Sequence, residues 1–100
     1  MSSKDCFKYN LRVTKRFKKH LKQIAKRNIE LVRKINDVVN SLQKGEILDA
    51  RFKDHSLTGN FAGHRECHVQ PDLLLIYRIV ENILILELVD TGTHSDLFGK

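Results

Sequence analysis

The spacing of apolar residues changes period along this chain, and each change marks an element. From Phe7 to Val13 the pattern alternates, with Phe7, Tyr9, Leu11 and Val13 on one side and Lys8, Asn10 and Arg12 on the other, as in a half-buried strand. Thr14 stands where a helix N-cap belongs. Phe17, Leu21, Ile24 and Ala25 then recur at helical spacing among Lys15, Arg16, Lys18, Lys19, Lys22 and Lys26. The pattern restarts at Asn28, a second cap, and Leu31, Val32, Ile35, Val38, Val39 and Leu42 form a stripe that Gly45 is placed to end. A connection this short folds the two helices back as an antiparallel hairpin.

Glu46 to Gly63 has no sustained period and reads as a loop, longer than a simple connection needs. Alternation returns from His64 to Gln70, and Gln70-Pro71-Asp72 makes a turn. Leu73 to Val80 is almost continuously apolar, as a central strand is. Glu81-Asn82 reads as a hairpin turn and Ile83 to Val89 as the last strand; Thr91-Gly92-Thr93 ends it, and a short tail runs through Leu97 and Phe98. The prediction is one α+β domain over residues 1–100 in the order β-α-α-β-β-β: a small, mainly antiparallel sheet with the helical hairpin on one face.

Charge adds a polarity to this plan. Residues 1–44 carry thirteen Lys and Arg against three acids (Asp5, Glu30, Asp37), whereas residues 45–100 carry five against nine. A basic first half beside a chemically mixed second half suits a polyanion gripped by one and worked on by the other. The longest apolar run, Leu73 to Tyr77, is far short of the ~18–20 residues that span a bilayer. The basic N-terminus has no apolar stretch behind it, so a membrane or export route is not expected and the cytoplasm is. There Cys6 and Cys67 are expected as free thiols.

The chemistry gathers between His55 and Phe98, which holds four of the five histidines; His20 is read as a helix residue with a structural role. A zinc site on His64 and His68 fails on geometry, since residues four apart on a strand lie about 13 Å apart. Cys67 shares its strand face with Arg65 and Val69, which marks a core thiol rather than a nucleophile. Thr58 to Gly63 lacks the lysine and following helix of a phosphate loop. Metal-free cleavage of RNA remains. Its nucleophile is the substrate's own 2′-hydroxyl, so the protein must supply only proton transfer and phosphate stabilisation, tasks for which histidine and arginine are suited. His55, His68, Asp72 and His94 come from a loop, a strand end, a turn and the tail, places that a small sheet can bring to one end.

Four pieces of the sequence carry a family resemblance: Lys53-Asp54-His55-Ser56-Leu57; Leu57-x-Gly59-Asn60-Phe61-x-Gly63; Arg65-Glu66-Cys67-His68-Val69-x-Pro71-Asp72-Leu73-Leu74-Leu75-Ile76-Tyr77; and Thr91-Gly92-Thr93-His94-Ser95-Asp96-Leu97-Phe98. They cover about half the chain, in order and at spacing that resembles the RelE/YafQ type of bacterial toxin, the mRNA interferase of a type II toxin–antitoxin pair. The resemblance implies a RelE-like fold and a ribosome-dependent endoribonuclease that needs no cofactor. It implies catalytic positions at His55, His68, Asp72 and His94, with Phe98 as a hydrophobic or stacking contact. His94 is expected as the general acid, Asp72 or His68 as the base, and His55 as a group that orients the substrate or shares that proton work.

The implied partners are the ribosome with its mRNA and a small antitoxin, expected to be of the ribbon-helix-helix type. Three positions depart from the family pattern. Leu73 stands where the family often has Trp, which removes one stacking platform. Asp90 stands where Arg commonly precedes T-G-T-H, so phosphate stabilisation is expected from Arg65, Arg78 or Lys53. Ser56 replaces a Pro. The alternative function is a non-catalytic RNA- or ribosome-binding module, or an antitoxin corepressor, that kept the fold.

Overall fold

Two side-chain caps set the helical hairpin. In the computed structural model, which describes residues 7–98, Thr14 Oγ1 accepts the Phe17 N–H at 3.0 Å and starts α1 (Lys15–Arg27). Asn28 Oδ1 accepts the Glu30 N–H at 3.0 Å and starts α2 (Ile29–Gln43) one residue later. Gly45 closes α2 in the left-handed region (φ 83°), with its N–H on the Leu42 carbonyl and that of Glu46 on Ser41. All three caps are as the sequence predicts.

The strands are β1 (Asn10–Val13), β2 (His55–Ser56), β3 (Arg65–Gln70), β4 (Leu73–Val80) and β5 (Ile85–Gly92), followed by α3 (His94–Phe98). They form one sheet in the order β1-β5-β4-β3-β2, in which only the β1–β5 pair is parallel. The hairpin covers one face: Phe17, Ile24, Ile35, Val38 and Leu42 pack with Cys67, Leu75, Tyr77, Leu86 and Leu88. On the other face Leu74 and Ile76 lie under Leu97 of α3 and beside Leu57 and Phe61. Burial of β4 on both sides explains its unbroken apolar run.

The observed order, β-α-α-β-β-β-β-α, adds two elements to the expected one. The predicted loop contains β2 between single 3₁₀ turns at Ala50–Phe52 and Gly59–Phe61, too short to leave a period in the sequence. The expected tail is the helix α3. The first strand is shorter than its alternation, because the Lys8 and Tyr9 N–H groups bond the Gln43 carbonyl instead of the sheet. Phe7 and Leu11 stay exposed, at 37% and 44%. The last strand begins two residues late, since Ile83 belongs to a 3₁₀ turn (Glu81–Ile83) and Leu84 is left-handed. It also runs further: Thr91 and Gly92 pair with Leu75 and Leu74, and Thr91 Oγ1 donates to the Leu74 carbonyl at 2.7 Å. A bulge at the Ile76–Tyr77 step leaves Val89 unpaired, where the Thr14 hydroxyl donates to its carbonyl at 2.7 Å and ties α1 to β5. Cys67 is fully buried and unbonded, while Cys6 lies outside the described residues.

Candidate active site

Pleating places Glu66 and His68 of β3 on the face away from the helices, alongside Leu74 and Ile76, their partners on β4. His55 pairs with Glu66 across β2 and β3. Its Nδ1 bonds the Lys53 carbonyl at 2.8 Å, which the left-handed Lys53 (φ 50°) turns back toward it. This leaves His55 Nε2 3.4 Å from Glu66 Oε1, and His68 Nε2 lies 3.9 Å from the same oxygen. One carboxylate, buried in a sheet that exposes only 7% of its side chain, therefore stands between two imidazoles.

His94 reaches this group from the other chain end. It is the first residue of α3, directly after Thr93, which closes β5's excursion. Its ring centre is 6.1 Å from that of His68, and its Nδ1 is 3.8 Å from Asp72 Oδ1 in the β3–β4 turn. Phe98, one helical turn on, has its ring 6.1 Å from His94 and meets Phe61 edge-on at 6.2 Å; Phe61 in turn meets His64 at 5.9 Å. His55, His68, Asp72, His94 and Phe98 are thus brought together. His94 and Asp72 are open to solvent (57% and 74% of their side chains).

The expected cations behave differently from the histidines. Arg65 points to the helix side of β3, where its guanidinium holds Asp54 at 3.2 Å and Ser56 at 2.9 Å. Tyr77 also donates to Asp54, at 2.6 Å. The Asp54 partner raises the guanidinium's pKa, and burial with the same bond raises that of the Tyr77 phenol. Arg65 is therefore outside the cluster and anchors the segment that carries His55. Arg78 pairs with Glu87 at 2.9 Å, about 13 Å along β4 from Leu74. Lys53 is exposed on the rim, beside His68.

Asp90 is buried and turned to α1, with its carboxylate on Arg16 at 3.0 Å and on His20. A cation at that site now comes from the helix and is spent on Asp90. Leu73 packs in the helix-side core. Glu66 and Phe61 were not among the expected site residues. The alternation of Arg65-Glu66-Cys67-His68 contains the signal for Glu66, which falls on the face of His68. Phe61 stands in one of the resembling pieces but has no periodicity signal, since its place depends on how the loop folds over Leu74 and Ile76.

Among the described residues, no three His, Cys, Asp or Glu side chains are grouped closely enough to hold a metal ion. What the cluster offers is two imidazoles that meet edge-on, each beside a carboxylate: two neighbouring groups able to take and give a proton.

Residues 9–99 match the family described as a bacterial toxin of type II toxin–antitoxin system, YafQ. The mRNA interferase toxin YafQ of Escherichia coli K12 is 48% identical over 52 residues, which is 52% of this chain and 54% of that protein. The match thus spans about half the length of that curated relative. The putative toxin YafQ of Haemophilus influenzae is 36% identical over 69 residues, 67% of this chain and 68% of that protein. Among solved structures, the E. coli DinJ–YafQ complex superposes with a TM-score of 0.81 at 33% identity, covering 91% of this chain and 99% of that one. A metal-bound toxin from Helicobacter pylori gives 0.83 at 39% identity, with 90% and 99% covered.

Proposed function

This chain belongs to the YafQ family of type II toxin–antitoxin toxins, and from that premise we propose that it is an mRNA endonuclease whose reaction uses the RNA 2′-hydroxyl as nucleophile. The observation that carries the reading is the His68–His94 pair, 6.1 Å apart, with Asp72 beside His94 and Glu66 behind His68. A base, His68 or Asp72, takes the 2′-hydroxyl proton as its oxygen attacks the adjacent phosphorus. The bond from phosphorus to the 5′-oxygen breaks, and His94 gives that oxygen its proton. The products are a 2′,3′-cyclic phosphate and a 5′-hydroxyl. Each proton-transfer group contributes typically ~10²–10⁴ in rate. Glu66 and the Lys53 carbonyl hold the ring of His55, which orients the substrate. Phe98, with Phe61 behind it, offers a ring to a base, a service that Leu73, aliphatic and in the core, does not supply.

The exposed Lys15, Lys18, Lys19, Lys22 and Lys26 of α1 suit the backbone of ribosomal RNA, a contact that weakens as salt rises. The E. coli relative forms a complex with DinJ. By analogy the partner of this chain is a small antitoxin, of the ribbon-helix-helix kind, that wraps the toxin and displaces it from RNA.

The test is primer extension on a reporter mRNA after brief induction, comparing the natural chain with His94→Gln. Cuts at fixed codon positions, abolished by the substitution and by blocking translation, are expected. Cuts that persist without translation would remove the ribosome from the proposal. No cuts from a folded, soluble chain would leave a binding or corepressor module.

A further inference from the structure

Beside the cluster, on the flank of β3 that faces α2, a groove of about 610 Å³ runs between Lys34 of α2, the Arg51-Phe52-Lys53 turn and the Gln70-Pro71 end of β3. That is within the ~300–1,000 Å³ of sites that take a small ligand or one unit of a polymer. His68 is also among its lining residues, so the groove and the cluster share one residue. Its charged lining is three cations, Lys34, Arg51 and Lys53, against one carboxylate, Asp37. Lys34 Nζ is held 3.1 Å from Gln70 Oε1, and the Arg51 guanidinium lies 4.7 Å from the centre of the Phe52 ring.

We propose that this groove binds the nucleotide of the RNA strand next to the cleaved phosphate, with Lys34 and Arg51 on its backbone and the Arg51–Phe52 pair against its base. The assignment rests on the reading of the histidine cluster as an RNA-cutting site. Single-stranded bases stack on guanidinium planes, and here the exposed Arg51 guanidinium is backed by the Phe52 ring, which itself packs against the core. An ammonium and a guanidinium flanking that stack supply the charge that tracks a backbone. Gln70, already hydrogen-bonded to Lys34, adds an amide that can meet a base edge. Lys53 joins the groove to the cluster, because its carbonyl holds His55 and the residue also lines the groove. Arg51 and Lys34 are therefore substrate-binding residues that the family motifs around Lys53-Asp54-His55 do not include.

Binding is tested without cleavage, using a fluorescent 2′-O-methyl RNA hexamer, which lacks the nucleophile. Anisotropy titrations over a range of salt compare the natural chain with Lys34→Ala/Arg51→Ala, both at exposed positions, and with Phe52→Leu, which keeps most of the buried volume. The double variant is expected to bind about tenfold or more weakly and to lose roughly 1.4 from its log–log salt slope, two phosphate contacts at ~0.7 each. Phe52→Leu should lower affinity with the slope unchanged. Unchanged affinity and slope in the double variant, or no binding of the hexamer by the natural chain, would overturn the proposal. So would an equal loss for a poly-glutamate peptide, which would mark a general polyanion surface of the kind an acidic antitoxin segment uses. Because the RNA cannot be cut, these results stand apart from primer extension: loss of cleavage with the groove effects intact refutes the nuclease alone.

Discussion

Thr93 and Asp96 satisfy each other: the Thr93 N–H donates to Asp96 Oδ2 at 3.0 Å, and the Asp96 N–H donates to Thr93 Oγ1 at 3.1 Å. This is a capping box with aspartate as its acid, and it starts the five-residue α3 at His94. So short a helix does not hold itself in water, so the box and the burial of Leu97 decide where His94 sits. Gly92 is part of the same device. Its φ is 151°, and a Cβ there would stand 2.8 Å from Asp96 Cβ. Thr-Gly-Thr-His-Ser-Asp is thus a geometric unit that delivers one imidazole.

Asp96→Ala is expected to lower cleavage at least tenfold with the β-sheet core unchanged, because it frees His94 without touching it. Primer extension measures the first, and the melting temperature the second. Gly92→Ala should act in the same direction through the clash with Asp96.

The Asp96 carboxyl is held below its ordinary 3.8, chiefly by the Thr93 N–H. A carboxylate depressed in the fold stabilises it fully above the unfolded value, and that contribution is lost as pH falls through the folded value. The order of α3 is therefore expected to be flat from neutral pH to about 4 and to decline below it. In Asp96→Asn this acid step should be missing, as followed by the amide signals of α3 in NMR spectra.

Glu66→Gln keeps the shape of the group between His55 and His68 and removes its charge. Cleavage is expected to fall by about 10²-fold, with folding intact because the amide still fits the same space. An unchanged rate would show that the carboxylate is structural only.

Tyr77→Phe removes the hydroxyl that donates to Asp54 at 2.6 Å in a nearly closed site. Hydrogen bonds to charged groups contribute ~1.5–3 kcal/mol, so the melting temperature should drop by several degrees. Activity should fall as well, since Asp54 and Arg65 fix the segment that carries His55. Arg65→Lys is expected to restore neither, lacking the fork that spans Asp54 and Ser56.

Burial pushes the Cys67 thiol up to about 12. The native chain should therefore leave this thiol unmodified by a disulfide reagent at pH 8 and release it only on unfolding. Rapid reaction in the native state would contradict the core position of β3.

The sequence alone determined the helical hairpin, because caps and apolar periods act over three or four residues and are written locally in Thr14, Asn28 and Gly45. It determined β4 for the same reason, since burial on both faces leaves no polar position from Leu73 to Tyr77. The grouping of candidate residues was also legible: His55, His68, Asp72 and His94 stand in recognisable motifs, and the fold brings them together.

Tertiary structure decided what depends on partners distant in sequence. The two residues of β2 are a strand only because β3 lies beside them, and α3 exists because Leu97 finds Leu74 and Ile76. Glu66 matters because β2 brings His55 across from it. Arg65 and Asp90 are charges whose roles follow from their neighbours. One is held on Asp54 and Tyr77 behind the sheet, the other on Arg16 and His20 of α1, because a buried or half-buried charge is retained where it finds an opposite one. Which cations remain free to meet a phosphate is settled by those pairings, and the sequence does not contain them.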